Sequence, residues 1–323
     1  MSEPEAVRFK NQSGQVLFGT LHPAVRARQG LPAVVLLSPG VKMRVGPGRL
    51  YVPLTDMLND LGYTVLRFDF FGLGDSEGEL QEPMLADVYN NIEVGRYVGD
   101  TVSALDWLAK EKGFQRFVLG GLCGGAITAL LAAERDSRVE GLLSLGMTVT
   151  LASNAATPAK YLTGAQLDSL WLGYMRRLRE PQSWLRLLTF QTEYGALWRS
   201  MKRAFVKDKP RPKPVAPVAP VTPPAGNAAA ESQRGNANPL FPRAFFAFLQ
   251  RGGRGLMLFS EKDRLYSEYD EKFAQPQAAR LQAYLSQLEH HVVPNANHVL
   301  SFTEWQHEML KVCGAWLRKL HPA

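Results

Sequence analysis

Short apolar runs recur at 16–21, 33–37, 64–68, 117–119, 139–145, 255–259 and 291–293. Several of them lack polar alternation, as strands buried on both faces do. Between them, apolar residues return at three-to-four spacing over 50–61, 98–110, 126–134, 269–288 and 302–320, which predicts helices. Strands alternating with helices predict a mostly parallel central sheet flanked by helices, an α/β architecture. Segments 7–10 and 16–21, separated by the turn-forming Asn11-Gln12-Ser13-Gly14, predict an antiparallel hairpin at one edge of that sheet.

From Met147 the rhythm breaks. No strand pattern occurs until after Arg243, and two aromatic-rich helical patterns cover 161–179 and 181–205. This stretch reads as a helical cap inserted into the fold, spanning 147–243, between core segments 1–146 and 244–323. Within the cap, 207–238 is dominated by Pro, Ala and polar residues. Proline removes the backbone donors that helices and sheets require, so this segment is expected to be disordered or extended.

A length of 323 residues with 46% hydrophobic composition is enough to bury a large core. The beginning of the chain lacks the basic flank and long apolar run of a secretory signal. No stretch reaches the roughly 20 apolar residues that span a bilayer. The expectation is a soluble, cytoplasmic protein without a transmembrane segment.

The formal charge is +7, and Lys and Arg cluster between Arg176 and Lys213 in the expected cap. Such a field attracts an anionic substrate, an acidic acyl carrier protein or an anionic lipid surface, although a solvated helix face accounts for it more simply. The cap aromatics, Trp171, Tyr174 and Trp184 among them, could line an acyl pocket, but most are expected to pack cap helices together. Nucleic acid is set aside, because no zinc-finger, helix-turn-helix or stacking-sheet signature accompanies the charge. The two cysteines, Cys123 and Cys313, suggest neither a disulfide framework nor a metal-ligand cluster. No cofactor and no metal are expected.

The chemistry concentrates at Gly120-Gly121-Leu122-Cys123-Gly124-Gly125, which closes the strand pattern starting at Phe117 and opens a helical one. Gly121, Cys123 and Gly125 have the spacing of a G-x-S-x-G nucleophile elbow, with sulfur in place of oxygen. A nucleophile on such a turn occupies strained backbone, and its neighbours two residues away must be small for the chain to pass. The helix that follows favours a thiolate and then an oxyanion at its N-terminus, with the Gly124 amide as first donor. The bland alternative is a buried structural cysteine in a glycine-rich strand end.

Elbow enzymes carry nucleophile, acid and histidine in that order. Asp263 follows the 255–259 strand pattern and His298 follows the last one, so both fit. Glu261 and Asp270 are weaker rivals for the acid, and His290, His291 and His307 for the base. A second oxyanion donor is expected where 33–37 ends. There Pro39 has no amide hydrogen, leaving Gly40, Val41 or Lys42; Val41 is the choice carried forward. The loop from Asp69 to Gly78 reads as structural despite its carboxylates.

These motifs resemble the α/β-hydrolase superfamily, and more narrowly the bacterial exosortase A system-associated hydrolases. The narrower likeness rests on Arg44-Val45-Gly46, on Gly62-Tyr63 through Val65-Leu66-Arg67-Phe68-Asp69 to Gly74-Asp75-Ser76-Glu77-Gly78-Glu79, on Gly121-Leu122-Cys123, and on His298 with the Trp305 helix. It covers the core and not the cap, and Gly124 stands where that family would be expected to carry a polar side chain.

The resemblance implies an α/β-hydrolase fold and a Cys123, His298, Asp263 triad of the kind found in dienelactone hydrolases. The implied activity is hydrolysis of a carboxylic ester or thioester, small or carrier-bound, through a covalent acyl-enzyme. An acyltransferase with the same triad and a non-catalytic hydrolase-fold binding protein are the alternatives.

Overall fold

The computed structural model describes residues 3–151 and 236–322, apart from 25, 27 and 29, and all of these belong to one compact unit. The cap expected over 147–243 lies outside the described residues except at its two ends. The same holds for its Pro/Ala-rich segment 207–238, of which only the last three residues are described.

Eight strands form one sheet: β1 (Glu5–Lys10), β2 (Val16–His22), β3 (Ala33–Leu37), β4 (Val65–Phe68), β5 (Phe117–Cys123), β6 (Val139–Met147), β7 (Arg254–Ser260) and β8 (Leu288–Val293). Their spatial order is β1-β2-β4-β3-β5-β6-β7-β8. β1 and β2 form the antiparallel edge hairpin that the Asn11–Gly14 turn predicted, β2 runs antiparallel to β4, and every later pairing is parallel.

Helices cover both faces, which is why β3 and β4 are buried at every residue. On one face lie α1 (Tyr51–Asp60) and α8 (Thr303–Leu320), whose Leu54, Leu58, Met309, Cys313 and Trp316 pack on Val34, Leu36 and Val118. On the other lie α2 (Leu85–Glu93), α3 (Val98–Lys112), α4 (Gly124–Arg135) and α5 (Leu240–Gln250), packed on Val35, Leu37 and Leu119. α4 is buried from Gly124 through Ala133, so it forms the centre of that layer.

Two helical expectations differ from the structure. The run at 269–288 is broken into α6 (Arg264–Tyr269), a π-type turn (Asp270–Ala274), α7 (Ala278–Leu281) and a 3-10 turn (Gln282–Tyr284), and Leu288 already belongs to β8. Pro276 interrupts it, lacking the amide that a continuous helix needs. Conversely, α2 is a helix where none was expected. Its spacing of Leu85, Val88 and Ile92 was the available signal, diluted by Asn90 and Asn91 and by a length of only nine residues.

The loop after β4 is structural, as read from the sequence. Asp69 is fully buried; it accepts from the Arg44 amide at 2.6 Å and from the Asp75 amide at 3.2 Å, and it ion-pairs with the Arg44 guanidinium. Arg44 also reaches Asp75 at 2.7 Å, so the segment that follows β3 is fastened to the segment that follows β4. The two ends of the long insertion also meet. Thr150 bridges Ala237, the Leu151 amide donates to Asn236 at 2.8 Å and the Asn238 amide to Val149 at 2.9 Å.

α5 is held by an aromatic cluster in which Phe245 contacts Phe241, Phe246 and Phe273 at centroid distances of 5.1–5.9 Å. Phe245→Ala is expected to lower stability by about 3–5 kcal/mol, read as a lower urea midpoint. An unchanged midpoint would show that α5 contributes nothing to the core.

Candidate active site

The strand order reverses between β3 and β5: the chain moves from β3 outward to β4, then returns to pair β5 on the other side of β3. Loops leaving the carboxyl ends of β3 and β5 therefore diverge and leave a crevice, the usual ligand position in such sheets. Cys123 stands at that end of β5 and is half-buried.

Its backbone has φ 54° and ψ −116°, a positive φ that a non-glycine residue adopts only at a cost of order 1–3 kcal/mol. The glycines around it are required by contact. A Cβ on Gly121 would lie 2.5 Å from the Gly125 carbonyl carbon, and one on Gly125 would lie 2.5 Å from the Leu37 carbonyl oxygen. Gly124, the departure noted from the narrower family, has the same explanation, since a Cβ there would sit 3.0 Å from Gly40 and from Ile92.

Tyr51 completes the elbow and was missed in the sequence reading. It is fully buried, and its hydroxyl donates to the Leu37 carbonyl at 2.9 Å while accepting from the Leu122 amide at 2.7 Å. The side chain bridges β3 and β5 one residue before Cys123, near where their ladder ends. Nothing in the sequence near Tyr51 signals this role, because the contact spans 71 residues.

His298 and Asp263 come together although 35 residues separate them: the imidazole Nδ1–H donates to Asp263 Oδ2 at 2.6 Å. The β7–β8 pairing sets this up by continuing past the strand ends. The Glu261 amide donates to Val293 at 3.1 Å and the Lys262 amide to Ala296 at 2.9 Å, so the two loops run side by side. Asp263 is buried at the start of α6, and its other oxygen accepts from the Leu265 amide at 3.2 Å. Cys123 is also close enough to the imidazole to raise its pKa.

The His298 pKa is pushed up to about 10, first by the hydrogen bond to Asp263 and then by Cys123, with burial opposing both. The imidazole therefore carries a proton at neutral pH. Chemically, a thiol beside an imidazole that is itself held by a carboxylate can pass its proton to that imidazole and later receive one back.

The rival residues are occupied elsewhere. Glu261 accepts from the Asn295 amide at 2.7 Å, and Asp270 accepts from Gln275 at 2.7 Å. His290 packs on Tyr269 and Phe259, His291 pairs with Glu308 at 2.8 Å, and His307 is exposed on α8. Cys313 is fully buried and its thiol is pushed up to about 12 by burial, as an inert core residue should be.

Of the three amides weighed after β3, that of Lys42 donates to Pro39 at 3.1 Å. Among the described residues the Gly40 and Val41 amides have no such acceptor, and Gly40 lies against Gly124. Gly124 begins α4, where the first-turn amides have no partner within the helix.

The family model described as alpha/beta hydrolase fold matches residues 44–304. The chain is 31% identical to monoglyceride lipase of Homo sapiens over 160 residues, 49% of this chain and 48% of the lipase, so it spans about half the length of the curated relatives it matches. Among solved structures it superposes on an esterase of Pyrococcus furiosus with a TM-score of 0.54 at 14% identity, covering 98% of this chain and 92% of the esterase. A hypothetical protein of Pseudomonas aeruginosa gives 0.55 at 19%, covering 98% and 93%. At these identities the likeness to the two structures is one of fold. Among the described residues no helix is long and apolar enough to cross a membrane.

Gly125→Ala is expected to cost about 1–3 kcal/mol and to slow alkylation of Cys123 by forcing the elbow away from Leu37. Tyr51→Phe, which leaves the Leu37 carbonyl and Leu122 amide without this partner, should cost about 1–3 kcal/mol. Urea titration and the rate of reaction with iodoacetamide measure both; wild-type values in either variant would mean the elbow tolerates what its contacts forbid.

Proposed function

The chain belongs to the alpha/beta hydrolase family, and from that premise we propose that it cleaves carboxylic ester or thioester bonds, with Cys123 as nucleophile, His298 as proton donor and acceptor, and Asp263 as the group that orients the imidazole. The observation that carries this reading is the His298 imidazole, held by the Asp263 carboxylate at 2.6 Å and with Cys123 near enough to raise its pKa further. Within the family we read the chain as a cysteine-nucleophile member similar to the exosortase A system-associated hydrolases. Arg44, Asp69 and Asp75, which belong to that narrower likeness, lie in one ion-paired cluster behind the β3 loop.

In this mechanism the Cys123 thiol passes its proton to His298, and Asp263 holds the imidazolium that forms. The sulfur attacks the substrate carbonyl carbon, the carbonyl electron pair moves onto oxygen, and amides of Gly124 and of Gly40 or Val41 stabilise that charge. Collapse expels the alcohol or thiol, which takes its proton from His298 and leaves a thioester acyl-enzyme. Neutral His298 then removes a proton from water as it attacks the thioester, and the free acid departs. The names of the relatives, lipase and esterase, put carboxylic esters first among substrates. A cap over 147–243 would supply the acyl-binding surface, and its basic residues suit an anionic or carrier-bound substrate.

Intact-mass measurement across a panel of p-nitrophenyl esters and acyl thioesters is expected to find an acyl adduct on the wild type and none on Cys123→Ala. His298→Ala should acylate far more slowly. Product recovered as an acylated alcohol or amine would mark an acyltransferase, and the absence of both adduct and turnover would leave a non-catalytic binding protein.

The pH dependence follows from the raised His298 value. A group raised above its ordinary 6.5 contributes stability in full below that pH and loses it as pH rises through about 10. kcat/KM should accordingly fall as pH rises through about 10. Asp263→Asn, which removes the largest cause of the rise, should move that alkaline limb to lower pH; a limb that does not move would show that Asp263 does not set the imidazole's charge.

A further inference from the structure

α2 passes directly over the loop that follows β3. Its Val88 and Ile92 are buried in the core, and Tyr89, half-buried, turns its ring to Gly40. A Cβ on Gly40 would lie 2.8 Å from Tyr89 Cε1 and 3.6 Å from the Tyr89 hydroxyl oxygen. Gly40 in turn lies against Gly124, whose own Cβ would stand 3.0 Å from the Gly40 nitrogen. The Tyr89 ring therefore lies on Gly40, which lies on Gly124, the residue that follows Cys123.

The two nearby tyrosines differ in what their hydroxyls do. That of Tyr51 is committed to Leu37 and Leu122. That of Tyr89 is engaged by no hydrogen bond among the described residues. Burial raises the Tyr89 pKa, and a charge on Cys123 raises it further, so the phenol keeps its proton at neutral pH and lies within the field of the Cys123 sulfur.

We propose that the Tyr89 hydroxyl is a side-chain donor to the tetrahedral oxyanion, alongside the Gly124 amide and the amide of Gly40 or Val41. This rests on the ester or thioester reading above. When the Cys123 sulfur bonds to the carbonyl carbon, the carbonyl electron pair moves to oxygen, and Tyr89 donates a hydrogen bond to that oxygen without giving up its proton. When the intermediate collapses, the pair returns to the carbon–oxygen bond and the leaving group takes its proton from His298. A donor aimed at charge that exists only in the intermediate lowers the barrier without tightening substrate binding. The contact also gives Gly40 a reason to be glycine, since any Cβ there would push the ring away.

Tyr89→Phe keeps the ring on Gly40 and deletes only the O–H. The single-turnover acylation rate with a p-nitrophenyl ester is expected to fall about 100-fold, with KM little changed. Affinity for an alkyl trifluoromethyl ketone, which forms an oxyanion on Cys123, should fall by a similar factor, while affinity for the corresponding unreactive alcohol stays the same. Acylation and ketone affinity at wild-type levels in Tyr89→Phe, with Tyr89→Ala alone impaired, would overturn the proposal and leave Tyr89 a packing residue. A wild type that forms no acyl adduct with any ester or thioester overturns the underlying reading, and the donor role with it.

Discussion

The constraint on which this site depends is a backbone crossing. The first turn of α4 passes so close to the end of β3 that Gly125 lies against the Leu37 carbonyl, and Gly121 lies against Gly125. With no side chains at those positions, the chain can leave β5 through the positive φ of Cys123 and enter α4 at once. A wider crossing would separate Gly124 from Gly40 and the Tyr51 hydroxyl from the Leu122 amide. The strain at Cys123 is tolerated because the surrounding helix is buried on nearly all sides and cannot relax around it.

Register performs the same service at the far side of the crevice. β7 and β8 pair in parallel from Gly255 with Leu288 to Ser260 with Val293, and their loops continue the contact through Glu261 and Lys262. Asp263 and His298 consequently meet at 2.6 Å. The charge that follows is local: a buried carboxylate on one side of the imidazole and a sulfur on the other both favour its protonated form, and together they outweigh burial. Under the proposed mechanism, a proton on His298 is the acid that expels the leaving group.

A sheet buried on both faces has to write its strands as uninterrupted apolar runs, and helices packed on one side have to show three-to-four spacing. That is why β3 was legible to its ends, why β4, β6 and α8 were legible to within two residues, and why the edge hairpin could be read from one turn. It is also why α2 was lost: nine residues with two asparagines carry little periodic signal, and the helix exists because Val88 and Ile92 find α4 and the core. The 269–288 run failed for the opposite reason. Its spacing was helical, but Pro276 denies the hydrogen bond that continuity requires.

The sequence by itself determined the strands and most of the helices, the elbow spacing, the order of Cys123, Asp263 and His298, and the different contexts of Cys123 and Cys313. These are local properties or properties of order, and a chain records both directly. Tertiary structure alone decided that Lys42 turns back to Pro39, that Tyr51 joins β3 to β5, and that Tyr89 reaches Gly40. Each of those depends on where two distant segments cross. A residue's neighbours in space are fixed by sheet order and register, which the spacing of residues along one strand does not contain.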